Sequence, residues 1–178
     1  MIKIKKSNKN FKAVYCMGKL NKMIASSETR AWVLYARAKN NTLTYTDSKM
    51  LIQTDINIDD GYYTFFKCNK TFVDLYKIVG LDQDQYYPDI KPVLDVKERN
   101  TTDFKFDTDC FPENYLYQLY DLFKGCFQVK YINLVCMLYD SPNGVSLNYT
   151  DDHSPIVVLH DKANMALMPF SNLKKWSV

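Results

Sequence analysis

The chemistry-bearing side chains of this 178-residue chain gather in short acidic clusters: Asp59-Asp60, Asp82 with Asp84, Asp107 with Asp109, and Asp151-Asp152-His153. Carboxylates beside an imidazole are the donor set of a magnesium or nuclease site, where oxygen ligands hold the cation and the cation activates water. Their surroundings favour a plainer role. Such clusters fall in polar stretches between apolar runs, where an aspartate caps backbone rather than a metal. Serine–histidine–aspartate chemistry has only His153 and His160 to draw on, both near strand ends. There is no G-x-x-x-x-G-K-[ST] and no G-x-G-x-x-G, and 5 glycines are too few for a phosphate loop. Cys16, Cys68, Cys110, Cys126 and Cys136 are widely spaced without a C-x-x-C, which argues against zinc and for reduced thiols in a cytoplasmic protein. No catalysis, metal or cofactor is expected.

Charge carries more information. Residues 1–80 hold 14 Lys or Arg against 6 acids, residues 81–178 hold 9 against 14, and the first 22 carry seven lysines and no acid. A basic half suits a polyanion and an acidic half suits a protein partner, although a solvated basic face with no partner gives the same count. The opening "MIKIKKSNKNFK" lacks the apolar stretch of a secretory leader, and no run reaches the 18 apolar residues that a membrane span needs. Lys outnumbers Arg 20 to 3, a bias of AT-rich coding that points to a virus, a phage or an AT-rich bacterium.

The elements that must position these residues follow from periodicity. Three segments read as helices. "YCMGKLNKMIASS" puts Met17, Leu20 and Ile24 inward and Lys19 and Lys22 outward. "NKTFVDLYKIVG" offers Asn69 as cap, Phe72, Leu75, Tyr76 and Val79 inward, Lys70, Asp74 and Lys77 outward, and Gly80 as terminator. "PENYLYQLYDLFKG" starts at Pro112, buries Leu116, Leu119, Tyr120 and Phe123, and shows Glu113, Asp121 and Lys124 to solvent. Strands surround them: "RAWVLYARAK" and "TLTYTD" about a hairpin at Asn40-Asn41, then "MLIQTDI", "GYYTFFKC", "DFKFDT", "QVKYINLVCMLYD", "GVSLNYTD", "PIVVLHD" and "MALMPF". This order is α+β, with helices on one face of antiparallel sheets. The pentapeptide "LTYTD" at 43–47 returns as "LNYTD" at 147–151, each before an apolar strand, which implies two duplicated β-α-β-β-β units. The expected organisation is a basic unit at 1–80, an acidic connector at 81–100 and a second unit at 101–178.

Three stretches in order resemble the DNA sliding clamps of replication, the polymerase processivity factors. "NNTLTYTDSKMLIQTDI" is similar to the clamp strand pair built on L-x-L-x-(A)-T-D; "YYPDIKPVLD" is similar to the F-P-D-Y-R-R-V-L-P segment of bacterial clamps; "SPIVVLHDKANMALMPFSNL" is similar to their closing strands ending M-P-x-R-L. Phe170-Ser171 departs from that ending. The resemblance implies duplicated clamp units and a role without chemistry, in which double-stranded DNA is held through phosphates and no base is read. It assigns DNA contact to Lys19, Lys22, Lys70 and Lys77. It assigns a polymerase or clamp-loader peptide to Leu167, Met168, Pro169 and Phe170. It implies a homo-oligomeric ring; a non-ring adaptor or inhibitor of a replication or transcription protein is the alternative, and an unrelated α+β binding protein the third.

Overall fold

The computed structural model describes residues 1–24, 28, 30–81, 87–106, 112–139, 144–151 and 153–169. β1 (Ile2–Lys5) leads into α1 (Phe11–Asn21), and one helical turn, α2 (Ala31–Leu34), precedes β2 (Ala36–Lys39), β3 (Thr42–Thr46) and β4 (Met50–Asp55). The hairpin β5 (Gly61–Cys68) and β6 (Phe72–Ile78) closes the first half. The connector carries α3 (Lys91–Leu94); then come β7 (Asn100–Phe104), α4 (Pro112–Phe123), α5 (Val129–Tyr139), β8 (Val145–Tyr149), β9 (Ile156–Val158) and β10 (Asn164–Leu167). Asn40 and Asn41 adopt left-handed backbone, φ 53° and 59°, as a two-residue hairpin turn requires, so the expected β2–β3 hairpin is present.

Two elements differ in type from the sequence reading. The segment 69–80 is not a helix but the turn and strand of β6, paired with β5 and β1. Asn69 does engage the following backbone, accepting from Thr71 N at 2.9 Å and Phe72 N at 3.0 Å. Those bonds close a hairpin, because a helix cap and an Asx turn use the same side-chain chemistry. A helix would also bury Tyr76 and Val79, which are 39% and 94% exposed, whereas Val73 and Leu75 alternate inward. Conversely, "QVKYINLVCMLYD" is a helix over α5 rather than a strand. It packs against both α1 and α4, so it is buried on nearly all sides and its period dissolves into one apolar run. α1 begins at Phe11 rather than Tyr15, and α2 interrupts the long strand expected over 30–39.

The ten strands among the described residues form one antiparallel sheet, ordered β1-β6-β5-β2-β3-β4-β10-β9-β8-β7. β4 and β10 meet near its centre, Met50 opposite Leu167 and Ile52 opposite Met165. On one face these residues join Leu43, Tyr45, Ile156 and Val158 under Met17, Leu20, Ile132 and Leu134 of the helices. On the other face Leu51, Val157 and Ala166 meet Ile90, Val93, Leu94 and Val96 of the connector. Strand alternation assigns the two sets to opposite sides. α1 lies so close to β5 that a Cβ on Gly18 would come 2.7 Å from the Cys68 sulfur.

The repeated pentapeptide acquires a specific meaning here. Its two copies do not occupy equivalent strands: β3 borders the β4–β10 pair directly, whereas β9 stands between that pair and β8. They share the turn that follows. Asp47 accepts from Lys49 N and Met50 N at 2.9 and 2.8 Å, and Asp151 from His153 N and Ser154 N at 2.9 and 2.7 Å. The repeat is a strand ending in an Asx turn.

Buried tyrosines tie the layers together. Tyr45 Oη donates to Val33 O at 2.7 Å and accepts from Asn21 Nδ2 at 2.9 Å, and Tyr139 Oη donates to Ala163 O at 2.9 Å. Tyr87 packs on Tyr62 and beneath the Arg37 guanidinium. Burial raises all three hydroxyls above the ordinary tyrosine range. Both folded and unfolded chains keep these hydroxyls neutral below pH ~10, so no stability is lost there. Above that, the unfolded chain ionises and the folded one resists. Urea unfolding should therefore show stability falling by about 1.4 kcal/mol per pH unit per buried tyrosine beyond pH ~10, and Tyr139→Phe should lessen the slope.

Candidate functional site

The groove begins at the turn after β3. Asp47 fixes it through the two backbone bonds above, Ser48 takes a left-handed φ of 74° and its N donates to Thr46 Oγ1 at 3.1 Å. From the helix layer, Tyr131 Oη donates to Asp47 Oδ2 at 2.7 Å. Burial, then this bond to a carboxylate, hold the Tyr131 hydroxyl well above its usual range. The opposite wall is the connector. Just ahead of α3, Asp89 Oδ1 accepts from Lys91 N at 3.0 Å in an Asx turn, and Pro92 stands in the first turn of the helix. Arg99 anchors that wall to the sheet, Nη1 donating to Pro155 O at 2.9 Å and Nη2 to Val93 O at 3.3 Å. The third side is the end of β10, where Met168 N donates to Lys49 O at 2.8 Å.

Between the three walls lies a cavity of ≈ 170 Å³, lined by Trp32, Thr46, Ser48 to Leu51, Pro88 to Ile90, Val93, Ala166 and Met168. Its surface is largely apolar, its walls are held by backbone and side-chain bonds, and it lies on the sheet face that carries Leu51 and Ala166. Such a concavity accepts an apolar side chain of a peptide and offers carbonyls at its margin.

Of the residues assigned to a partner peptide, Met168 lines this groove. Leu167 points into the helix-side core, Pro169 is half-buried, and Phe170 lies outside the described residues. Sequence reasoning missed Trp32, Leu51, Ile90 and Val93 as lining residues; the signal was present, since most of the lining falls within the clamp-like stretches.

The lysines assigned to DNA separate. Lys19 and Lys22 remain on α1 and its C-terminal edge, where Lys19 Nζ lies 5.5 Å from the Tyr15 ring and Lys22 Nζ donates to Cys68 O at 3.2 Å. Lys77 is on β6, 3.9 Å from Asp59, and Lys70 is on the β5–β6 turn. These last two leave the helical surface because their segment is a hairpin. Lys70 instead borders a cleft of ≈ 580 Å³ with Lys6, Lys9, Lys12 and Lys162.

The acidic clusters among the described residues act as turns: Asp60 accepts from Asn40 N at 2.9 Å, and Asp151 caps as above. Asp82, Asp84, Asp107, Asp109 and Asp152 fall outside the described residues. No group of three or more metal-ligating side chains occurs among the described residues, and no helix there is long and apolar enough to cross a membrane.

No family model and no curated protein sequence matches the chain. Solved structures do, and they define its class: the architecture is the α+β fold of DNA sliding clamps. The similar structures are bacterial polymerase III β subunits. A putative β subunit from Eubacterium rectale aligns with TM-score 0.58 at 10% identity, over 96% of this chain and 65% of that one. The β subunit of Streptococcus pyogenes gives TM-score 0.56 at 11% identity, over 95% and 65%. The Helicobacter pylori β clamp, bound to a DNA ligase peptide, gives 0.53 at 16%, over 95% and 65%. The chain thus spans a little under two thirds of the clamps it matches.

The geometry makes Asp47 the support of one groove wall. Tyr131→Phe removes a bond to a carboxylate and should cost about 1.5–3 kcal/mol in urea unfolding. Asp47→Ala should cost more, because the amides of Lys49 and Met50 lose their acceptor as well.

Proposed function

We propose that the chain is a clamp-like processivity factor: it holds duplex DNA without reading bases, and carries a polymerase or loader by a short apolar peptide seated in the groove. One observation supports this above the rest. Three segments far apart in sequence, the turn after β3, the connector at 87–94 and the end of β10, converge on one apolar cavity. Each lies in a stretch whose sequence resembles a clamp. The Helicobacter pylori clamp that shares the fold was solved with a DNA ligase peptide, which supports a peptide as the ligand class here.

DNA contact is assigned to Lys19, Lys22, Lys70 and Lys77, exposed or half-buried side chains whose internal contacts are of the weak surface kind and yield to phosphate. The fold is that of proteins that act without chemistry of their own, so no enzymatic step is proposed. Several copies closing a ring would trap the duplex, and β1 and β7, the edge strands of the sheet among the described residues, are the strands available for such closure. A single-copy adaptor uses the same groove and leaves those edges free, so mass in solution separates the two.

A fluorescein-labelled short peptide rich in Leu and Phe should bind the wild type, and Val93→Glu or Met168→Glu should weaken it roughly 10–100-fold, a reduction of about 1.5–3 kcal/mol in apolar stabilisation. Unchanged affinity in both variants would remove the groove from the proposal. Charge reversal of Lys19, Lys22, Lys70 and Lys77 should flatten the slope of log K against log salt for duplex binding, by about 0.9 for every phosphate no longer neutralised.

A further inference from the structure

We infer that the groove has an occupant within its own sequence: the segment 170–178, "FSNLKKWSV", seated through Trp176. The inference rests on the peptide half of the proposed function and names a ligand that competes there with any partner. The apolar lining is incompletely covered among the described residues. Leu51 and Ala166 are themselves buried, whereas Trp32, Ile90 and Val93 are half-buried and Met168 is 37% exposed. Apolar side chains left open around a concavity are stabilised by an apolar group that fills it.

The place where the segment starts selects it. Met168 is a wall of the cavity, and its N donates to Lys49 O at 2.8 Å, which holds this point of the chain against the turn wall. Pro169 follows, and 170–178 continue beyond the described residues. A segment rooted in the rim of a groove meets it at an effective concentration in the millimolar range, set by the tether and not by the amount of protein. Trp176 stands eight positions after Met168, a reach of at most about 26–29 Å, enough to leave the rim, turn and return. Leu173 stands five positions on, where the shorter loop is stiffer and harder to close.

Size and charge agree with that choice. A cavity of about 150 Å³ holds a benzene-sized ring, and this one measures ≈ 170 Å³. It takes one ring-bearing side chain rather than a helix face, and Trp buries a large apolar area with few rotatable bonds. Trp32 offers it an aromatic neighbour: the Arg30 guanidinium covers part of that ring at 4.9 Å, and the ring still lines the cavity. Lys174 and Lys175 precede Trp176 in a segment without an acid, while the connector at 81–100 holds five acids against three bases. Asp89 brings one of those acids to the groove, and Lys49, the one cation of the lining, stands on the turn wall. The charge of the segment therefore fits the connector side.

The test takes two readings on the full chain. The fluorescein-labelled peptide rich in Leu and Phe should bind Trp176→Ser about tenfold more tightly than the wild type, because the competing occupant is lost. Trp32→Phe leaves Trp176 as the sole indole, since the sequence holds 2 Trp. In that variant the emission should be blue-shifted and shielded from acrylamide, and adding Val93→Glu should shift it to the red and expose it. Met168→Glu makes the same reading from another wall where Val93→Glu does not fold, as circular dichroism reports. Equal or weaker peptide binding by Trp176→Ser, with Val93→Glu still weakening it, would overturn the inference and leave the groove reading standing. Solvent-like Trp176 emission that ignores both groove variants would overturn it as well, whatever the peptide does. Shielding that grows with protein concentration alongside a doubled mass would overturn it in favour of the segment of a second copy. Shielding at low concentration that the groove variants abolish, with no peptide bound by either form, would support the inference and remove the partner peptide from the proposed function.

Discussion

The pairing of β4 with β10 is the interaction on which the rest of this molecule depends. It joins the first half of the chain to the second by a four-residue antiparallel register, Met50 to Gln53 against Leu167 to Asn164. Because neighbouring side chains on a strand face opposite ways, a one-residue slip would exchange the two faces of the seam. Both faces are apolar here, so what resists slipping is fit. Met50, Ile52, Met165 and Leu167 meet the helices, while Leu51 and Ala166 meet the connector. Thr54 Oγ1 donates to Lys162 O at 2.9 Å and Met168 N donates to Lys49 O at 2.8 Å, closing the seam at both ends.

The seam explains why a groove exists at all. A sheet covered by helices on one side exposes its other side, and an apolar patch at its centre must be covered or used. The connector covers part of it with Ile90, Val93, Leu94 and Val96, which are only half-buried themselves. Covering by a short segment without a full helix leaves a gap beside it, and the turn after β3 and the end of β10 bound that gap. A groove of this origin needs no special scaffold. It follows from two half-sheets meeting under a segment too short to hide them.

Parts of this were legible in the sequence because they rest on local chemistry. Asn40-Asn41 could only be a tight turn, and Asp47, Asp89 and Asp151 cap backbone wherever the chain places them. The connector and the end of β10 carry short patterns that can be matched piecewise, and Met168, singled out on such a pattern, lines the cavity. Leu51 and Val93 escaped because an apolar residue in a strand or a short helix does not announce which face it serves. The type of 69–80 and of Val129–Tyr139 was hidden for a different reason. In the first, the Asn69 side chain serves a helix or a hairpin equally, and pairing with β5 and β1 decides. In the second, packing against α1 and α4 erases the polar stripe that marks a helix. The basic cleft was invisible because its lysines lie at 6, 9, 12, 70 and 162, and no periodicity connects them.

The two surfaces are separated by the sheet, and this bears on how they communicate. The groove opens on the connector side. The basic cleft sits at the end of the helix layer, with Met137 of α5 in its floor. The link between them runs through α5 itself, since Tyr131, on the same helix as Met137, donates to the Asp47 carboxylate that sets the groove's first wall. A bond of that kind contributes about 1.5–3 kcal/mol, the same order as the coupling free energies that connect distant sites. It could transmit an effect only if α5 shifts, and α5 is packed on both flanks by helices and buried along most of its length. A close-packed element of this sort resists small displacements. The physical expectation is therefore that the groove wall and the far end of α5 belong to one rigid frame, so that a change at one end leaves the other in place.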